Sequence, residues 1–134
     1  WWRRAAPPDA SQFARYALAD VWAGGHKDDP DPTMRAWMAT ERAPLDKTAP
    51  PVNIARMRAS GCRALRFRGR EVLELCFERN GTWFHLYVLP GRRGARFAPF
   101  RMGASDGSAA VWSDGRFTYA VATKAALGVL EKLL

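Results

Sequence analysis

Nowhere do the 134 residues contain eighteen consecutive apolar side chains, so no stretch of the sequence reads as a membrane-crossing helix. Cysteine is scarce. Cys62 and Cys76 are the only two, they form no Cys-x-x-Cys pair, and a four-ligand zinc site of the usual spacing cannot be drawn from them. Histidine is equally scarce, with His26 and His85 alone. His26 stands beside Asp28, Asp29 and Asp31, but this stretch has neither the turn glycine nor the bidentate glutamate of a calcium loop, and it reads as a solvated loop. No neighbour in sequence offers His85 a third orienting group or an oxyanion site, so a Cys76 and His85 pair is not expected to be catalytic. Internal repeats and low-complexity segments are also missing. These gaps lead to the expectation of a non-enzymatic protein with no catalytic residue, no metal and no cofactor.

What is present suits one core. The chain is 48% hydrophobic, enough at this length for a single domain, placed at residues 9–134. Residues 1–8 read as a membrane-proximal tether: Trp1-Trp2-Arg3-Arg4 pairs the indole and guanidinium groups favoured at lipid headgroups, and Ala5-Ala6-Pro7-Pro8 cannot continue a helix. A membrane helix preceding Trp1 is therefore expected, with Trp1, Trp2, Arg3 and Arg4 as its interfacial anchor.

Net charge is +8, from 21 Lys and Arg against 13 Asp and Glu, which permits nucleic acid or an anionic membrane surface as partner without demanding either. The densest arginines, Arg66, Arg68 and Arg70 and then Arg92, Arg93 and Arg96, fall at predicted turns. Aromatic residues on strands, Trp83, Tyr87, Trp112, Phe117 and Tyr119, would suit base stacking, but the basic-Gly-aromatic fingerprint of an RNA-recognition fold is missing.

In residues 10–22 the apolar positions Phe13, Ala14, Ala17, Leu18, Val21 and Trp22 recur every three or four, which predicts an amphipathic helix capped by Asp9 or Ser11 and ended by Gly24-Gly25. Further helices are predicted over residues 33–42, with Met34, Trp37 and Met38 inward, and over residues 52–59. From Cys62 the period changes to two. Leu73, Leu75 and Phe77 share a face opposite Val72, Glu74, Cys76 and Glu78, and Asn80-Gly81 is the strongest hairpin signal because both residues accept positive φ. Phe84, Leu86 and Val88 alternate with Trp83, His85 and Tyr87, and bulk on both faces marks this strand as central. Residues 96–102 read as an irregular edge segment because Pro99 cannot donate to a ladder. Residues 109–112 and 116–123 form a second hairpin around Ser113-Asp114-Gly115, and residues 124–134 a last helix presenting Leu127, Val129, Leu130, Leu133 and Leu134. The expected fold class is α+β: an antiparallel sheet of about five strands, a meander plus a C-terminal hairpin, with N-terminal helices and a C-terminal helix packed on it.

The first turn decides which residues oppose each other. A three-residue loop centred on Gly69 sets Leu65 against Leu73 and Cys62 against Cys76, whereas a two-residue turn is expected to bring Leu65 against Glu74. Across Asn80-Gly81, Cys76 faces His85. Cys62 and Cys76 are then either a cross-strand disulfide, in an oxidising compartment, or two small core residues, and the residues leave both open.

Trp37 with Arg42-Ala43-Pro44-Leu45, then Gly61-Cys62-Arg63-Ala64-Leu65, the run at 72–77, Phe84-His85-Leu86-Tyr87-Val88, and Trp112 with Phe117-Thr118-Tyr119-Ala120 together resemble a known family. It is the extracytoplasmic C-terminal domains of bacterial single-pass transmembrane anti-sigma factors and their uncharacterised relatives. The likeness spans about residues 33–134, with Arg42 standing where that family usually has Gly before Ala-Pro. It implies a regulator's sensor or interaction domain on the periplasmic face of the cytoplasmic membrane, held by a helix preceding Trp1 and contacting a protein partner. In characterised relatives a cytoplasmic segment, often with a His and Cys zinc motif, holds the sigma factor, and this sequence has no such segment. The alternative is a small basic nucleic-acid-binding protein. Open sheet edges would also let two copies pair.

Overall fold

Helix α1 (Ala10–Ala23) forms where the apolar period of three and four predicts it, and it buries Ala10, Phe13, Ala14, Ala17, Leu18 and Val21 on one face. The structure is a computed structural model that describes residues 9–23, 42–43, 52–53, 62–90, 97–115 and 117–134. Trp22, expected on the apolar face, is instead 50% exposed. Its indole Nε1 donates to the Asp106 carbonyl at 2.8 Å, and the Lys124 ammonium lies 4.4 Å from the ring centre, so its edge ties α1 to a turn of the sheet.

The main sheet has six strands: β3 (Cys62–Phe67), β4 (Arg70–Arg79), β5 (Thr82–Pro90), β6 (Phe97–Ala104), β7 (Gly107–Ser113) and β8 (Phe117–Thr123). Their spatial order is β3-β4-β5-β8-β7-β6, every neighbour antiparallel. Two three-stranded meanders thus join through their last strands, β5 and β8. The sheet exceeds the expected five strands because the segment around Pro99 is a strand after all. Pro99 sits at a register shift between Phe97 and Phe100 on the edge strand β6, where a missing N–H is tolerated.

A separate two-stranded pair joins β1 (Arg42–Ala43) to β2 (Val52–Asn53). This corrects two helix expectations: Arg42 and the first residues of 52–59 are in strands, and the rest of both predicted helices lies outside the described residues. The tether at 1–8, with Trp1, Trp2, Arg3 and Arg4, and the loop carrying His26, Asp28, Asp29 and Asp31 lie outside them too.

The first hairpin also corrects the sequence reading. Arg68 and Gly69 both have positive φ, 52° and 76°, so the loop has two residues, the geometry that follows the twist of paired strands. It sets Leu65 against Val72, not against Leu73 or Glu74, and Cys62 against Leu75. The expected opposition of Cys62 and Cys76 therefore fails by one residue, and Cys76 is a free cysteine. The hairpin at Asn80-Gly81 is as predicted, with φ of 51° at Asn80 and 81° at Gly81 and with Cys76 opposite His85.

Alternation along the strands makes two cores. Leu73, Leu75, Phe77, Phe84, Leu86, Val88, Trp112, Tyr119 and Val121 fill one face, where α2 (Leu127–Leu133) adds Leu130 and Leu133. Val129, expected inward, is 37% exposed on the outer side of α2. On the opposite face Ala109, Val111, Ala120 and Ala122 meet Ala10, Ala14 and Ala17 of α1. Small side chains on both partners let helix and sheet approach closely, and Phe13, Tyr16, Phe67 and Tyr87 fill the wider space beside them.

Candidate functional site

Side chains two apart on a strand point the same way, so Val72, Glu74 and Cys76 of β4 share the α1 face of the sheet. The Asn80-Gly81 turn then places Tyr87 opposite Glu74 and His85 opposite Cys76. Four polar side chains thus form a block on two adjacent strands, beside Val72 and Leu89 on the same face. Helix α1 supplies a fifth, Asp20, from its last turn.

These groups form a continuous chain. The Tyr87 hydroxyl lies 2.7 Å from Asp20 Oδ2 and 2.8 Å from Glu74 Oε2. It has one proton to give, so it donates to one carboxylate at a time, and the second contact is a hydrogen bond when that carboxyl carries a proton. Glu74 Oε2 also lies 3.2 Å from His85 Nδ1, and the same nitrogen is 3.3 Å from Cys76 Sγ. Glu74 is buried, with 5% of its side chain exposed, whereas His85 keeps 23%.

Burial by itself would lower the His85 pKa, but its hydrogen bonds and electrostatic attraction to Cys76 and Glu74 outweigh it and raise the value to about 9. The imidazole is therefore held cationic near neutral pH. The Tyr87 phenol moves upward too, through burial first and then through the Glu74 and Asp20 carboxylates, and it stays protonated.

The arrangement does not fit a nucleophilic relay. In such a relay one ring nitrogen takes the proton of the nucleophile while the other is oriented by an acid. Here thiol and carboxylate both crowd Nδ1. What the block does offer is three donor atoms of different kinds, a carboxylate oxygen, a thiol sulfur and an imidazole nitrogen, all within 4.8 Å of one another. Beside the Cys76 and His85 pair that the Asn-Gly register predicts, the structure adds Glu74, which shares Nδ1 with the thiol and does not orient the ring from its other nitrogen. Its signal was present, since residue 74 shares the face of residue 76 and opposes Tyr87 once the Asn-Gly register is set.

No protein-family model, curated protein or solved structure matches this chain. The resemblance to anti-sigma-factor domains therefore rests on the residues quoted for it above.

Proposed function

We propose that this chain is a non-enzymatic sensor or interaction domain of a membrane-anchored regulator, standing on the extracytoplasmic face of the cytoplasmic membrane. The observation that carries this reading is the hydrogen-bonded path from Asp20 on α1 through Tyr87 to Glu74 and His85 in the sheet. A ligand or ion that alters the cluster alters the seating of α1, and α1 begins at Ala10, close after the expected tether at residues 1–8. A signal at the cluster thus has a short route toward the expected anchor at Trp1, Trp2, Arg3 and Arg4. The family resemblance supports the same reading, and so does the absence of relay geometry at His85.

The alternative, a basic nucleic-acid-binding protein, draws on the net charge of +8. Against it, charge at the described hairpin tips is engaged locally. Arg66 Nη1 donates to the Gly69 carbonyl at 2.7 Å, and the guanidinium groups of Arg68 and Arg79 lie over the rings of Phe67 and Phe77.

The membrane reading is tested by fusing alkaline phosphatase, which is active only outside the cytoplasm, to the C-terminal end of the full-length gene product. An active fusion is expected. An abundant but inactive one would overturn the localisation. A Kd for nucleic acid that weakens steeply between about 50 and 200 mM salt would instead favour the alternative.

A further inference from the structure

We propose that Glu74, Cys76 and His85 form a binding site for a borderline-soft divalent cation of the Zn2+ type. Thiolate, imidazole and carboxylate are the three protein ligand classes that Zn2+ accepts, and mixed sets of this kind discriminate against the hard cations that prefer oxygen alone.

The distances agree with the chemistry. In a tetrahedral site with Zn–S near 2.3 Å and Zn–N or Zn–O near 2.0–2.1 Å, neighbouring ligand atoms are separated by about 3.3–3.6 Å. Here Sγ of Cys76 lies 3.3 Å from Nδ1 of His85, and Nδ1 lies 3.2 Å from Oε2 of Glu74. The third edge, from Cys76 Sγ to the Glu74 carboxylate, lies within 4.8 Å, and side-chain rotation that closes it brings all three donors onto one ion. The present contacts also compete with one another: Nδ1 has either one proton or one lone pair, yet it faces both a thiol and a carboxylate. A cation at the centre satisfies all three donors together, displacing the Nδ1 proton of His85 and the thiol proton of Cys76 to solvent as it binds.

The supporting structure suits a bound ion. All three ligands sit on adjacent paired strands, β4 and β5, so the separations between their backbones are set by the ladder. Tyr87 holds Glu74 through a hydrogen bond at 2.8 Å, as outer-shell partners of metal-binding carboxylates do. Cys76 and His85 are partly exposed, which gives the ion a way in, and three ligands leave the fourth corner of a tetrahedron for water or for a donor from a partner. Any signalling role of the ion rests on the sensor reading above; binding itself is measured without it.

The experiment is a titration of the reduced chain with Co2+, a spectroscopically visible stand-in for Zn2+. One equivalent should bind with a thiolate-to-cobalt charge-transfer band, and Zn2+ should displace it. Cys76→Ser should abolish the band and Cys62→Ser should leave it in place. His85→Gln, at a partly exposed position and with folding checked by circular dichroism, should weaken binding at least ~10-fold. Tyr87→Phe should retain the band while weakening binding about 10–100-fold, a separation that a purely structural role of the phenol would not produce. No thiolate band in the native chain, a band that follows Cys62, or a band indifferent to both His85→Gln and Glu74→Gln overturns the site. Cobalt binding combined with an inactive phosphatase fusion keeps the site and removes the extracytoplasmic reading. A silent titration combined with an active fusion does the reverse.

Discussion

Gly107 occupies a position that no side chain fits. Its φ of 152° is one that L-residues rarely adopt, and a Cβ there would collide with the Thr123 carbonyl oxygen and come within 2.8 Å of Leu18 Cδ1 on α1. The obstruction is backbone on one side, so it cannot be relieved by a rotamer change. Gly107→Ala is expected to lower stability by about 2–4 kcal/mol, from backbone strain and overpacking together. A urea midpoint unchanged from the native chain would mean that α1 does not seat against the start of β7. The cluster around His85 shows a different residue-scale lesson. A buried glutamate on an apolar face is unusual enough to ask for partners, and Glu74 has Tyr87 and His85 within hydrogen-bonding distance. Sequence alternation alone puts it on a face with Val72, Cys76 and Glu78 without saying what it touches.

At the scale of the element, each hairpin is set by its turn. Asn80-Gly81 is the preferred type for two positive φ values, and the register it produces matches the sequence reading residue for residue. Arg68-Gly69 has the same geometry but puts arginine at φ 52°, a conformation that asparagine tolerates better. The weaker signal explains the error of one residue in the first hairpin. Arg68→Asn should therefore stabilise the fold by about 0.5–1 kcal/mol, read from thermal or chemical denaturation. A loss of stability would show that Arg68 contributes more through its position over Phe67 than its backbone costs. The helices repeat the pattern. Their apolar stripes were legible, while Trp22 and Val129 proved to face outward because a stripe of period 3.6 has margins, and packing decides which marginal residue is covered.

Across the whole molecule, β5 and β8 are the central pair of the six-stranded sheet, β4 and β7 flank them, and β3 and β6 are its edges. Inner strands share their hydrogen bonds with neighbours on both sides, so their amides open only when the sheet as a whole unfolds. Hydrogen exchange should be slowest in β5 and β8 and faster along the outward-facing amides of β3 and β6. Protection of the outer β3 amides equal to that of β5 would show that a further strand, such as that of a second copy, pairs with this edge. The α+β class, helix α1, the hairpin at Asn80-Gly81, the opposition of Cys76 and His85 and the hairpin at Asp114-Gly115 were determined by local chemistry: period and positive-φ turn residues act within a few positions. Tertiary structure alone decided that β8 inserts between β5 and β7, that an alanine-rich helix lies on an alanine-rich patch of sheet, and that Asp20 reaches Tyr87 across 67 positions of sequence. Those contacts depend on which surfaces bury each other best, and that is a property of the assembled sheet and helix with no local signature in the chain.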